Sequence, residues 1–496
     1  MLQTRRPVGG KPPSYSRLFG ALALAIGCLA GPARAEEPAT PPTADTPVQA
    51  PAEPPADAPP AEPTIQQQIE ALRQQLLILE RKAELAAEAE AEKAKSGAAV
   101  TASAKDGFSI KSNDGAFTLK LRGYVQLDGR FFTSDDGDRG IDTLTIRRAR
   151  PIFEGTLYKR LAFRVMADFG SGATLLQDAN VDWTFAPTAV LRFGKFKPPF
   201  GLERLQSATE TTFAERALPT GLGPNRDTGI QLGGVLVGGR LEYAVGVFDG
   251  VPDGGSGDND TNDDKDVVAR LVASPWKSTP SDLSGLSVGI AATRGNQKGT
   301  ATAPGLGAYR TSGQQSPASG SFFSYRSDGT TAGTAIADGE RFRLSPQASF
   351  FRGPLGLLGE YVQSRHEVRR GSATTDLTHT AWQVTGVWVL TGENASYRWY
   401  SPANGFDTSA ADESKRGRGG LALAARYNAF RADDDSFPDY AASSAVQEAT
   451  GWALGLDWTL QRGVRLLLDY EVTSFDGLGT PRPDEKLLTT RAQVSW

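Results

Sequence analysis

The stretch GAFTLKLRGYVQLDGRFF, residues 115–132, alternates apolar and polar side chains along almost its whole length. The apolar set is Phe117, Leu119, Leu121, Val125, Leu127 and Phe131. The polar set is Thr118, Lys120, Arg122, Gln126, Asp128 and Arg130. Because successive side chains of a β-strand point to opposite faces of the sheet, this period of two predicts a strand with one face in water and the other in a soluble core or in lipid.

The same alternation recurs to the C-terminus, in sixteen segments joined by connections that alternate in length. Short connections lie near Lys159, Pro187, Gly239, Gly353 and Gly463. Long ones lie at about 133–141, 170–177, 197–226, 250–265, 294–340, 366–376, 431–448 and 474–485. Short turns at one end and long loops at the other are typical of an outer-membrane barrel. The long connection at about 391–418 falls on the short-turn side, which means either a slip in the strand count or an elaborated turn.

Tryptophans near the strand ends favour a membrane barrel over a soluble β-sandwich, the other fold that an alternating pattern allows. They are Trp183, Trp388, Trp452, Trp458 and the C-terminal Trp496. Amphipathic rings of this kind suit a belt at the level of the lipid headgroups. Closure of the sheet also removes the unpaired edges that lipid cannot hydrogen-bond. We therefore expect residues 108–496 to form an all-β fold, a transmembrane antiparallel β-barrel of about sixteen strands.

The first 63 residues carry targeting and linker signals. Four basic residues precede an apolar segment at 18–30 that is too short to span a bilayer, and small residues follow at 33–35. We expect residues 1–35 to be a signal peptide; the alternative is a lipoprotein acylated at Cys28, the sole cysteine. Residues 36–63 are rich in Pro and Ala and predict an extended disordered linker.

Residues 64–95 have the clearest helical pattern in the chain. Apolar residues recur at spacings of four and three, at Ile65, Ile69, Leu72, Leu76, Leu79, Ala83 and Ala86. This seam predicts a short α-helical coiled coil of about three heptads, and Ile and Leu at these positions permit a trimer. A lone helix of this kind would be marginally stable in water, so we expect self-association. The alternative is a helix that lies against some other surface.

The segment LRFGKFKPPFGLER, residues 191–204, is the first candidate site. Two prolines and a glycine end the strand abruptly and turn the chain. The cations that this segment and the loop after it offer to the lumen are Lys195, Lys197, Arg204, Arg216 and Arg226. Their candidate ion-pair partners are Glu203, Glu210 and Glu215. The alternative is an ordinary solvated external loop.

The run Arg147-Arg148-Ala149-Arg150 is the second candidate site. The apolar face slips by one residue across it, which predicts a β-bulge that aims more than one arginine inward. Arg122 and Arg130 on the first strand are placed on the same wall. An arginine wall favours anions, since guanidinium keeps its charge and offers several donors. The alternative is general charge balancing in the lumen.

Three features together resemble the phosphate-selective porin O and P family over about residues 108–496. They are the arginine run at 147–150 after a first strand, GKFKPPFGLE at 194–203 and the C-terminal Trp. The resemblance implies a homotrimer of sixteen-stranded barrels with inward-folded loops and an arginine-lined, anion-selective constriction. It places Arg147 and Arg148 at that constriction, with Arg130 a weaker match. The connection at 391–418, with Lys415, Arg416 and Arg418, resembles an inward-folded turn of that family.

These observations predict a channel for passive diffusion of small hydrophilic solutes, with a preference for phosphate-like anions. The expected constriction and anion-binding residues are Arg130, Arg147, Arg148, Arg150, Lys195, Lys197, Arg204 and Arg216. We expect the protein in the outer membrane of a Gram-negative bacterium, in contact with lipid and lipopolysaccharide, with its N-terminal segment in the periplasm. The loops at 135–138, 253–266 and 433–435 are acidic. They favour the alternative of a general or cation-preferring porin that tethers the envelope, through periplasmic or cell-wall contact of the coiled coil.

Composition argues against several other classes of protein. A hydrophobic fraction of 39% is too low for a bundle of membrane helices, and a net charge of -4 gives no basic field for nucleic acid. His366 and His379 are the only histidines, and no nucleophile motif accompanies them, so we expect no enzyme and no cofactor. The acidic run at 258–264 lacks the glycine and terminal glutamate of an EF-hand, which favours a solvated loop over a metal site.

Overall fold

The computed structural model describes residues 64–96, 98–103, 107–133, 140–172, 174–260, 262–315, 320–409 and 416–496. The expected signal peptide and linker lie outside these ranges. Helix α1 spans Ile65–Ser96, which confirms the predicted helix. The apolar side chains of its predicted seam are exposed from Ile65 to Leu79. No helix in the described ranges is both long and apolar enough to cross a bilayer.

Eighteen strands follow α1 in the described part of the chain. Their bounds are β1 Ala99–Ser103, β2 Gly107–Lys111, β3 Thr118–Phe132, β4 Thr143–Leu157, β5 Leu161–Asp168, β6 Leu175–Ala186, β7 Ala189–Phe196, β8 Asp227–Leu236, β9 Leu241–Phe248, β10 Asp266–Ala273, β11 Leu286–Lys298, β12 Ala335–Arg352, β13 Leu355–Arg370, β14 Ala373–Val389, β15 Gly420–Arg431, β16 Val446–Gln461, β17 Val464–Gly479 and β18 Glu485–Ser495.

Strands β3 to β18 form a closed antiparallel barrel, which confirms the predicted count of sixteen. Each strand pairs with the next, and β18 returns to pair with β3, where Thr490 faces Gly129. The short strands β1 and β2 form a hairpin that adds to the start of β3, where Phe108 faces Leu121. Closure leaves each barrel strand paired on both sides, as a sheet in lipid requires.

The two faces of the barrel wall follow the alternation in the sequence. On β3, Val125 and Leu127 are 40% and 47% exposed, whereas Gln126 and Asp128, which alternate with them, are fully buried. Trp183, Trp388 and three further tryptophans named above lie on the outward face. Apolar residues therefore face outward and polar residues face the lumen, as in other transmembrane barrels.

Two connections resolve or correct the expectations from sequence. Residues 390–419 join β14 to β15, so the long connection on the short-turn side is an elaborated turn and the strand count does not slip. The expected long loop at 366–376 is wrong, because β13 and β14 continue to a tight turn at Gly371, where φ is +61°. A hairpin above the membrane can be polar on both faces, so hydropathy does not mark where it ends.

An apolar cluster fills part of the barrel interior. The loop at 299–334 contributes Tyr309, Phe322, Phe323 and Tyr325, which pack against His379, Phe430 and Phe475 on the wall. Residues Phe200 and Leu222 of the loop at 197–226 join the same cluster. Each favourable aromatic pair contributes about 0.5–1.5 kcal/mol beyond its buried area, so the cluster fixes both loops inside the barrel.

Candidate permeation pathway

The connection between β7 and β8, residues 197–226, runs through the barrel interior and is called the crossing loop. Pro198 and Pro199 begin it because proline has no N–H to donate to a strand ladder. Gly201 then adopts φ +75°, a conformation that favours glycine, and turns the chain inward. Local sequence therefore ends the strand and directs the chain away from the wall.

Hydrogen bonds hold the crossing loop against the distant wall strands. Glu360 on β13 accepts from the backbone N–H groups of Leu202 at 2.7 Å and Glu203 at 3.2 Å. Asp469 on β17 accepts from the N–H of Ala214 at 2.7 Å. Gln126 on β3 donates to the carbonyl of Ala208 at 2.9 Å. The interpretation of an ordinary solvated external loop is therefore wrong, since this loop folds into the lumen.

A cavity of about 1420 Å³ lies between the crossing loop and the inner faces of β3 to β7. Six of the eight residues predicted from sequence line it, namely Arg147, Arg148, Arg150, Lys197, Arg204 and Arg216. Arg130 and Lys195 are absent from its lining. The structure thus brings most of the candidate residues around one water-accessible space.

The predicted bulge lies at Arg147. Gln126 faces Arg148 and the next residue, Leu127, faces Ile146, so Arg147 is an extra residue in β4. An extra residue breaks the strict alternation and lets two consecutive side chains turn to one side. Both Arg147 and Arg148 consequently reach the lumen, as the sequence predicts.

A buried carboxylate, Glu215 of the crossing loop, lies among four arginines. The guanidinium of Arg147 donates to it from Nε at 2.6 Å and from Nη2 at 3.2 Å. Arg130, Arg148 and Arg491 approach the same carboxylate at 3.1, 3.5 and 3.3 Å. Burial opposes ionisation of Glu215, but the four guanidinium groups outweigh it and hold its pKa well below the usual range.

Arg491 completes this group from the last strand of the barrel. It also binds Asp128 through two hydrogen bonds of 2.7 Å. We call Arg130, Arg147, Arg148, Arg491, Asp128 and Glu215 the Glu215 cluster. Its four cations and two carboxylates leave two positive charges in excess. Arg491 faces Asp128 across the seam between β18 and β3, so barrel closure brings it into the cluster.

Three further cations of the crossing loop, Lys197, Arg204 and Arg216, are called the loop cations. Lys197 Nζ and Arg216 Nη2 both donate to the carbonyl of Gln206, at 2.6 and 2.8 Å. Arg204 donates to the amide oxygen of Asn225 at 3.1 Å. The described residues place no carboxylate oxygen within 4.0 Å of the three charged groups. Burial and the neighbouring Arg216 lower the pKa of Lys197 well below its ordinary value.

Outside the Glu215 cluster, two of the eight residues expected to bind anions are instead paired with carboxylates of the protein. Arg150 donates to Asp168 at 2.7 Å and to the hydroxyl of Tyr124 at 2.8 Å. Lys195 is buried and pairs with Asp258, which belongs to the acidic run singled out in the sequence. Arg150 therefore lines the cavity with its charge balanced, and Lys195 lies apart from the loop cations.

The elaborated turn at 390–419 also reaches the crossing loop. The hydroxyl of Tyr397 donates to the carbonyl of Leu202 at 2.6 Å, and Arg398 lines the cavity. Sequence reasoning singled out three other cations of this turn. Arg416 and Arg418 are exposed, and Lys415 lies outside the described residues. An inward-folded turn is thus present, but different side chains carry its contacts.

Residues 117–496 match the sequence model of the family described as phosphate-selective porin O and P. The chain belongs to this family. Porin O of Pseudomonas aeruginosa is 24% identical over 406 residues, which cover 78% of this chain and 90% of that protein. Like its family, this porin is an outer-membrane β-barrel channel, and the homologues of the family are channels rather than enzymes.

The solved structures that are similar to this chain include a channel and a porin of low sequence identity. The outer-membrane channel DcaP of Acinetobacter baumannii is 12% identical, with a TM-score of 0.49, over 78% of this chain and 99% of that one. The anion-selective porin from Comamonas acidovorans is 12% identical, with a TM-score of 0.48, over 77% of this chain and 100% of that one.

Proposed function

We propose that this porin passes small hydrophilic solutes by passive diffusion and prefers anions. The observation that carries the proposal is the set of loop cations, which line the cavity without a carboxylate partner in the described part of the chain. Ammonium and guanidinium groups in this state offer charge and donors to a passing anion. They repel cations in the same space.

The charge of the cavity lining supports this preference. Twelve cationic and seven acidic side chains of the described residues line the cavity, an excess of five positive charges. The whole chain has a net charge of -4. Positive charge is therefore concentrated in the pathway, and Asp253 is, among the described residues, the one acidic lining residue that comes from the loop at 253–266. Charge at the narrow, low-dielectric region has more influence on selectivity than charge on loops in bulk water.

Reversal potentials in planar bilayers under a KCl gradient test the proposal. An anion-preferring channel gives a potential close to that of chloride. A potential close to that of potassium would refute anion preference and favour the cation-preferring alternative. Replacing chloride by inorganic phosphate then tests the finer proposal, that phosphate-like anions are among the permeant solutes.

We also propose that α1 forms a three-stranded coiled coil in the periplasm and supports a homotrimer in the outer membrane. Its exposed seam, from Ile65 to Leu79, would bury apolar side chains against two copies of itself. Deleting residues 36–95 tests this proposal through cross-linking of intact cells. Loss of cross-linked trimers with unchanged single-channel conductance supports it. Unchanged trimers with a weakened envelope would instead favour the tethering function.

The proposed export signal has a direct test. N-terminal sequencing of the mature protein should begin at Glu36, the residue after the proposed cleavage site. An acylated N-terminal Cys28 would favour the lipoprotein alternative.

A further inference from the structure

Glu215 lies where an anion bound by the arginines of the pathway would lie. Its carboxylate accepts from Arg147 through two hydrogen bonds, at 2.6 and 3.2 Å, and from Arg130 at 3.1 Å. Paired N–H donors of this kind bind a free carboxylate or phosphate in the same geometry. The exposed fraction of the Glu215 side chain is 5%, so its carboxylate occupies a desolvated position.

We infer that Glu215 is a built-in anion, which fills an anion-binding site made by Arg130, Arg147, Arg148 and Arg491. This inference rests on the proposed anion preference and names a residue that limits it. With the site filled, a solute anion meets the loop cations but finds no vacant position among these four arginines. The carboxylate is thus a specificity determinant. Because it occupies the site, no solute anion binds there tightly, and different anions can pass.

Backbone hydrogen bonds of the crossing loop position this carboxylate in addition to the contacts of its own side chain. Arg426 donates to the carbonyl of Glu215 at 2.9 Å. The preceding residue, Ala214, is fixed on both its backbone groups, by Asp469 at 2.7 Å and by Arg491. A change of the Glu215 side chain therefore leaves the main contacts of the loop in place.

The single variant Glu215→Ala tests the inference by removing the carboxylate and leaving its position vacant. Inorganic phosphate is added to channels carrying chloride current. Because hydrogen bonds between charged groups are strong, we expect phosphate to halve the current at a concentration at least about tenfold lower in the variant than in the wild type. Equal concentrations would overturn the inference. A wild-type channel that phosphate blocks as strongly as it blocks the variant would also overturn the inference.

Glu210→Ala is the matched control, because Glu210 lies in the same loop, lines the same cavity and, among the described residues, forms no ion pair with the arginines of the Glu215 cluster. It removes the same charge, and we expect the phosphate sensitivity of the wild type. A similar gain in both variants would overturn the inference, because it would show an effect of net charge alone.

The double variant Arg130→Gln with Glu215→Ala separates a vacant site from added charge. It removes one cation and one carboxylate, so the cluster keeps its excess of two positive charges. It also serves if the single variant fails to fold, as judged by heat-modifiable migration on gels. Phosphate block in the double variant supports the inference, and wild-type behaviour overturns it. Reversal potentials of the wild type report separately on the proposed anion preference.

Discussion

Neutralising one loop cation should weaken anion preference by an amount that follows from its surroundings. Arg216 lines the cavity and donates to two carbonyls, those of Glu203 and Gln206. Lys197 also donates to Gln206, so Arg216→Gln leaves that carbonyl satisfied. The substitution therefore removes a charge from the pathway with little disturbance of the crossing loop.

Coulomb's law gives the size of the effect. A unit charge about 4 Å from an ion contributes about 1 kcal/mol in water. Arg216→Gln removes that attraction for an anion and the same repulsion for a cation, a difference of about 2 kcal/mol. This corresponds to about a thirtyfold fall in the anion-to-cation permeability ratio at low salt. Screening over about 3 Å should largely remove the effect at about 1 M salt.

Reversal potentials of single channels at low and high ionic strength measure this ratio. Lys277→Gln is the control, since Lys277 donates to the carbonyl of Gly239 in a short turn outside the cavity lining. We expect no change from the control. A ratio for Arg216→Gln within about twofold of the wild type, or an equal fall in the control, would refute the electrostatic argument.

Three further predictions follow from the loops and the barrel seam. The lowered pKa of Lys197 means that its charge is lost at a lower pH than the charge of an ordinary lysine. Anion preference should therefore fall as pH rises through that lowered pKa. Lys197→Arg should abolish this fall in reversal-potential titrations, because guanidinium stays charged. Asp253→Asn removes the charged acceptor of the Tyr309 hydroxyl and should weaken docking of the loop at 299–334 by about 1.5–3 kcal/mol, seen as faster cleavage of that loop by protease in detergent. Gly123→Ala places a Cβ 2.7 Å from the ring of Trp496 and should destabilise the barrel by about 1–3 kcal/mol; Gly386→Ala, where a Cβ meets open space, should leave the temperature of heat-modifiable migration unchanged.

The barrel was predictable because the alternation that specifies it can be read within each strand separately. A period of two is visible in each strand, and lipid on one side with water on the other enforces it. The bulge at Arg147 was predictable for the same reason, since a slipped alternation marks an extra residue. The end of the hairpin of β13 and β14 was not predictable, because above the membrane the solvent is the same on both faces.

The partners of the charged residues depend on the fold as a whole. Lys195 and Lys197 are two residues apart, yet only Lys195 has a carboxylate within 4.0 Å in the described residues. Its partner, Asp258, comes from a separate loop that sequence spacing does not bring near. Glu215 was a candidate ion-pair partner from sequence, but its four arginines belong to three different strands. Local patterns therefore identify charged candidates without telling which charges are balanced.

The strands that close the barrel also bind the crossing loop. Gln126 on β3 and Gln493 on β18 bond to each other at 2.6 Å, and both donate to loop carbonyls, at 2.9 and 3.2 Å. The cylinder and its internal segment are therefore completed together when the first and last strands meet. Because the crossing loop is bound by both β3 and β18, pairing of these two strands also fixes the loop. The permeation pathway therefore has its final width as soon as the barrel closes in the membrane.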